Sequence, residues 1–307
     1  MRIDGLHHVT AITADVRTNL GFYGRLLGLR LVWQGVNADD PSVRHIAYGD
    51  EFGSPGSIIT FFDMPGVARG RPGAGMLYRL SLRVSSAESL DFWQRRLAGA
   101  DVASKRLPEG LLFSDPDGLE LELVVDDGED EPLTATAFDI DPSLAIRGID
   151  SVRAYKGESA EASQDLVDVL GMTVDEERGL LTRGDHRHGW VIFDNVPDGS
   201  GAIGAGTFHH AAFTIGDGDE EEWRERLAAV AARPTEVLDR LMFKSIYFRE
   251  PCGVLLELAT NGPGFVFESA DSLGEALVLV GDLEARRKEL ERRFPLLRNP
   301  RTLDVAD

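Results

Sequence analysis

Four of the seven histidines fall in two adjacent pairs, His7-His8 and His209-His210. One carboxylate, Glu257, interrupts an apolar run, Val254-Leu255-Leu256-Glu257-Leu258-Ala259. A carboxylate inside such a run costs desolvation energy unless it is paired or ligates a metal. Two imidazoles plus one carboxylate on separate strands make the facial set that binds Fe(II) and leaves positions open for substrate and O2. Alternation along a strand lets one histidine of each pair face a shared site. We assign that face to His8 and His210, because Val9 and Ala211 then point toward the helix-covered side. His8, His210 and Glu257 are the candidate metal ligands. His45, His186 and His188 read as surface or loop residues, and His186-Arg187-His188 lacks a third donor.

The elements that position these residues repeat along the chain. Ile3-Asp4-Gly5-Leu6-His7-His8-Val9 is echoed by Ile146-Arg147-Gly148-Ile149-Asp150-Ser151-Val152, and each leads into a helical stretch closing on Leu26-Leu27-Gly28-Leu29 or Val169-Leu170-Gly171-Met172. Gly28 and Gly171 stand where a helix end favours a left-handed residue. Residues 75–84 parallel 206–215, helices follow over 87–97 and 220–231, and each unit ends in a hairpin around Asp115-Pro116-Asp117-Gly118 or Glu250-Pro251-Cys252-Gly253. Pro at the second turn position and Gly at the fourth mark type I turns.

The sum is four β-α-β-β-β units, an α+β fold with curved mixed sheets and helices on their outer faces. We read two domains of two units each, 1–128 and 145–262, joined by a linker at 129–144 that overlaps the acidic, Pro-bearing stretch 126–142. Residues 263–307 add a helix around 282–294 and a tail without readable chemistry. Where units one and four carry His-His, the other two carry Tyr78-Arg79 and Asp150-Ser151, so packing shared by all four units does not demand histidine. Glu122 occupies the place of Glu257 in a unit without histidines and is expected at the surface.

With 43% hydrophobic and 27% charged residues over 307 positions, the composition is globular. The net charge of −20, from 52 acidic against 32 basic side chains, argues against nucleic-acid and anionic-membrane partners. The acids clustered at 126–131 and 217–222 read as a solvated shell. One cysteine, Cys252, leaves no internal disulfide and fits a reducing compartment. No basic-then-apolar leader opens the chain, so a cytoplasmic place is expected. No apolar run approaches the ~20 residues that span a bilayer. A homo-oligomer is left open.

Tandem units carrying a split His, His, Glu set resemble the vicinal oxygen chelate superfamily, which includes glyoxalases, bleomycin resistance proteins and extradiol dioxygenases. The resemblance is strongest to its hydroquinone-type ring-cleaving dioxygenases. It rests on Leu6-His7-His8-Val9-Thr10, Asp50-Glu51-Phe52-Gly53-Ser54-Pro55-Gly56, His209-His210-Ala211-Ala212-Phe213, and Asp239-Arg240 through Ser245-Ile246-Tyr247-Phe248-Arg249-Glu250-Pro251. It implies Fe(II) on His8, His210 and Glu257, with Mn(II) accepting the same donors. It also implies Arg240 and Tyr247 lining a substrate pocket, with Thr10 and His209 close to the metal ligands. Alternation turns His209 away from His210 unless a bulge intervenes.

The implied activity is extradiol-type cleavage of a small dihydroxylated aromatic by O2. Tyr247 would act as acid/base or hydrogen-bond donor, and Arg240 would hold anionic oxygen. Three alternatives stay open on the residues alone. They are a glyoxalase-type metal-dependent lyase or isomerase (which typically uses four protein ligands, two of them glutamates), a catechol extradiol dioxygenase, and a non-catalytic small-molecule binding protein of the same fold.

Overall fold

The computed structural model describes residues 1–126, 128–157, 164–279 and 281–300. The first unit consists of β1 (Leu6–Thr13), α1 (Val16–Leu20), β2 (Arg30–Val36), β3 (Arg44–Gly49) and β4 (Ile58–Asp63). The second contains β5 (Leu77–Val84), α2 (Ala87–Gly99), β6 (Ser104–Arg106), β7 (Gly110–Ser114) and β8 (Glu120–Val125). In the third are β9 (Ile149–Tyr155), α3 (Gln164–Leu170), β10 (Thr173–Asp175), β11 (Gly179–Arg183) and β12 (His188–Asp194). The fourth comprises β13 (Phe208–Ile215), α4 (Glu220–Ala229), β14 (Leu238–Asp239), β15 (Lys244–Arg249) and β16 (Leu255–Thr260). Each follows the expected β-α-β-β-β order. Gly28 (φ +72°) and Gly171 (φ +67°) take the left-handed conformation expected of them. Both hairpin turns close, with the Gly118 N–H on Asp115 O at 2.9 Å and the Gly253 N–H on Glu250 O at 2.7 Å.

Two eight-stranded mixed sheets form, in the orders β14-β15-β16-β13-β1-β4-β3-β2 and β10-β11-β12-β9-β5-β8-β7-β6. Each sheet draws one unit from each half of the sequence, so unit one pairs with unit four and unit two with unit three. The seams are the antiparallel pairs β1–β13 and β5–β9. Val9, Ala211, Leu82 and Val152 face the main core, together with Trp93 of α2 and Trp223 of α4. His8, Thr10 and His210 therefore take the opposite, open face of the first sheet.

The register of both seams slips at equivalent places. Leu6 faces Phe213 while His8 faces Ala212, which leaves His7 as an extra residue; Thr10 faces His210 while Ala11 faces Phe208, which leaves His209 extra. The second seam slips in the same way at Tyr78 and Asp150. A β-bulge of this kind adds one residue to a strand and re-aims its side chain. All four units carry it, and in the first sheet both bulged residues are histidine.

The stretch 126–142 holds no helix or strand among its described residues, and its acids at 126–131 are only partly a solvated shell, with Glu129 and Glu131 exposed. Asp126 and Asp130 turn inward to the buried Arg83, whose Nη1 donates to Asp130 Oδ2 at 2.8 Å. His188 is likewise buried rather than in a loop, with Nδ1 at 2.7 Å from the same carboxylate. From 217–222, Glu220 is buried and paired with Lys244. The expected C-terminal helix begins as a 3-10 turn, Gly281–Arg286, and becomes α5 over Arg287–Arg293. This last segment covers the β2 edge of the first sheet. Gln34 Nε2 donates to Gly274 O at 2.7 Å and to Leu297 O at 2.9 Å, and Leu277 and Leu290 pack on Val36. Covering an edge removes a template for unwanted pairing. Among the described residues no helix is long and apolar enough to cross a membrane.

The turn acid Asp115 gives a stability prediction. Burial raises its pKa to about 6, although it accepts from the Leu119 N–H and the Tyr23 hydroxyl. The folded chain therefore holds a proton that the unfolded chain releases near pH 4, so folding stability falls as pH rises through that interval. Asp115→Asn keeps the turn and removes the titration. Its melting temperature relative to the native chain is expected to climb between pH 4.5 and 7.5, corresponding to up to ~3 kcal/mol. A constant difference across the series would show that Asp115 does not titrate there.

Candidate metal centre and its cavity

His8 on β1, His210 on β13 and Glu257 on β16 meet on the open face of the first sheet, on three adjacent strands. One donor atom from each lies within 4.8 Å of the others. Glu257 Oε2 stands 2.9 Å from His210 Nε2 and 3.3 Å from His8 Nε2, and those nitrogens are 3.3 Å apart. All three side chains are buried, Glu257 completely. Burial alone would push the Glu257 pKa up, but the two imidazoles outweigh it and hold the carboxyl well below its usual value. Burial likewise lowers the pKa of His210, which favours the neutral imidazole a metal requires.

This donor set fits a divalent cation. Glu257 Oε2 makes no well-directed hydrogen bond although it is buried, and a buried carboxylate oxygen without one is costly. Its partner Oε1 is engaged: Ser245 donates to it from β15. One oxygen is thus fixed by the protein and the other is turned toward two ring nitrogens. Among the described residues this is the one cluster of His, Cys, Asp or Glu donors assembled in this way.

The bulges supply the next shell. His7 Nδ1 lies 2.9 Å from His8 Nδ1, and His209 Nδ1 lies 2.8 Å from His210 Nδ1. Each candidate ligand is therefore held through Nδ1 with its Nε2 directed at the cluster, an arrangement that orients a metal-binding imidazole. Plain alternation would have turned His209 away; the extra residue at the bulge brings it alongside His210. Burial, then His8, lowers His7 to about 3, so His7 stays neutral.

A chain of hydrogen bonds leads off on the other side. Thr10 Oγ1 is 2.9 Å from His210 Nε2 and 2.8 Å from Thr60 Oγ1, and Thr60 Oγ1 is 2.9 Å from His45 Nε2. His45 is therefore not the surface residue the sequence suggests. It lines the cavity between Trp33 and Phe62, with ring centroids at 4.9 and 4.6 Å, and burial lowers its pKa to about 3. Its apolar flanks, Ile46 and the aromatic run at Phe61-Phe62, were the available signal. His7, Ser245 and Thr60 also escaped sequence reasoning. His186 is exposed and lies outside the site. Glu122 lies in the other sheet, bound to Arg79 and Ser81.

The cluster opens into a cavity of about 450 Å³, large enough for a small aromatic ring. Tyr247 on β15 meets the His210 ring edge-on at 5.3 Å. Burial, then the Glu257 charge, raises its pKa above the ordinary value, so the phenol stays protonated. Arg240 stacks over the Tyr247 ring at 5.3 Å. Thr10, His209, Arg240 and Tyr247 thus all border this cavity with His8 and His210.

Comparison with known proteins places the chain in a family. The family model described as Glyoxalase/Bleomycin resistance protein/Dioxygenase superfamily matches residues 5–123 and 148–258. The chain belongs to this superfamily. Two proteins of Bacillus subtilis named as ring-cleaving dioxygenases are similar to it: MhqA, 34% identical over 95% of this chain and 98% of that protein, and MhqE, 36% identical over 97% and 100%. The chlorohydroquinone/hydroquinone 1,2-dioxygenase of Sphingobium indicum is 28% identical over 95% of this chain and 96% of that protein. A crystal structure from Bacillus subtilis, described as a dioxygenase, superposes with a TM-score of 0.87 at 34% identity, covering 95% of this chain and 97% of that one. Maize glyoxalase I, at 14% identity and a TM-score of 0.60, shares the fold.

Proposed function

We propose that this chain is an Fe(II)-dependent, extradiol-type ring-cleaving dioxygenase acting on a hydroquinone or related dihydroxylated aromatic. The observation that carries this reading is the buried facial set of His8, His210 and Glu257 at the wall of a ring-sized cavity bordered by Tyr247 and Arg240. Iron held there would supply Lewis acidity toward a ring hydroxyl and an electron path between ring and O2. The chain's own groups do the rest. His7 and His209 fix the ligand imidazoles, and Ser245 fixes the carboxylate. The protonated Tyr247 phenol, packed against His210, would donate a hydrogen bond to a substrate seated in the cavity, and Arg240 holds that phenol in place by stacking on it. Trp33, Phe62 and Phe243 supply apolar walls that seat a ring and exclude water. Opening the ring bond beside a hydroxyl-bearing carbon places both atoms of O2 in the product. The buried thiol of Cys252 accords with work in the cytoplasm.

The glyoxalase-type alternative calls for a second carboxylate, and the residue facing the cluster from β4 is Thr60.

Anaerobically purified protein is expected to hold about one iron per chain and to consume O2 with hydroquinone faster than with catechol. Tyr247→Phe should retain the iron while turnover falls ~10²- to 10⁴-fold, the range for loss of a positioned proton donor. Zinc or nickel with no O2 uptake would instead indicate a lyase or isomerase.

A further inference from the structure

Arg240 is the only cation among the described residues lining the cavity, and it is already engaged. Its Nη1 donates to Asp39 Oδ1 at 3.0 Å and its Nη2 to Asp39 Oδ2 at 2.9 Å, a parallel two-point pair. Asp39 lies on the β2–β3 connection with its side chain 70% exposed, whereas Arg240, between β14 and β15, is 16% exposed. The pair therefore spans the cavity rim from unit one to unit four. One edge of the guanidinium is spent on Asp39 and its face on Tyr247.

An isolated exposed ion pair contributes little to stability, so the consequence of this one lies in where it puts charge. An anionic ring arriving at the cavity rim finds its one protein cation already paired and a carboxylate at the entrance, so positive charge is left to it only at the metal centre itself. Away from the metal centre, Trp33, Phe62, Met242 and Phe243 add no positive charge. The net charge of −20 adds a long-range field of the same sign. An uncharged ring meets neither penalty.

We propose that Asp39, through its clasp on Arg240, is a specificity-determining residue that restricts the site to uncharged dihydroxylated rings and rejects rings bearing a carboxylate. This rests on the dioxygenase reading above and narrows its substrate class.

Asp39→Asn preserves the shape and removes the charge at an exposed position, so folding is not at risk. In iron-loaded protein held under argon, the part of the tryptophan fluorescence that is quenched on adding ligand, Trp33 being the one tryptophan of four that lines the cavity, reports the Kd of hydroquinone and of 2,5-dihydroxybenzoate without turnover. The ratio of the second Kd to the first is expected to fall by roughly tenfold or more in Asp39→Asn, and kcat/KM in air should shift in the same direction. A ratio within about twofold of the native value, with hydroquinone still bound and cleaved, would overturn the role of Asp39 alone. If neither ring binds either protein, the dioxygenase reading fails and takes this inference with it.

Discussion

Glu257→Gln is expected to empty the candidate metal centre: metal affinity should fall by more than about 100-fold, and O2 uptake should disappear with it. Loss of a residue that only orients a ligand typically costs 10- to 100-fold, so a ligand must cost more. Glutamine keeps the bond to Ser245 but offers a neutral, weak donor where Oε2 now faces both Nε2 atoms. The fold should survive. Removing one member of a buried ion pair is damaging when it strands a charge, and burial lowers the pKa of His210, which limits that damage. The metal-free variant should nevertheless melt below the metal-free native protein, because a carboxyl held well below its usual pKa stabilises the fold while it is ionised. Added Fe(II) should raise the native melting temperature and leave the variant unmoved, because only a site that binds the metal is stabilised by it. Iron retained at about one per chain in the variant would remove Glu257 from the ligand set.

The main lines of this site were legible because the chain is its own control. Units two and three keep the strand but replace His-His with Tyr78-Arg79 and Asp150-Ser151, which separates chemistry from packing. The α+β class and the unit order followed from the same repeats. The sheet partnership was not visible: nothing in strand composition says that β1 pairs with β13 rather than with a strand of its own half. Register slips were equally hidden, since a bulge is a backbone event that leaves hydrophobic alternation almost intact, and it decides where His7 and His209 point. His45 and His188 look alike in sequence, yet His45 is half-buried between Trp33 and Phe62 of the neighbouring strands, and His188 is buried against the distant Asp130. Asp126 and Asp130 show the same limit. A charge run reads as solvated until a buried arginine such as Arg83 is found beneath it.

The pseudo-symmetry of the first sheet leads to the second large effect. β1 and β13 run antiparallel, and each is flanked by a parallel strand of its own unit, β4 or β16. On β16, Glu257 faces Ala212, two residues beyond His210. On β4, Thr60 faces Thr10, two residues beyond His8. Thr60 therefore stands where the symmetric mate of Glu257 would be, and its hydroxyl reaches Thr10 and His45 instead of supplying a charge. A neutral residue there leaves the set at three protein donors, as a centre that admits both substrate and O2 requires. Thr60→Glu should add a fourth donor. Retention of iron against a competing chelator is expected to improve by about tenfold, while ring-dependent O2 uptake falls by at least about a hundredfold as an open position is filled. Thr60→Val supplies the control, since it removes the same hydrogen bonds without adding a donor and should retain much of the uptake. If Thr60→Glu still cleaved the ring at a rate near that of Thr60→Val, the position would not face the metal, and the three-donor arrangement could not be the reason the centre stays open.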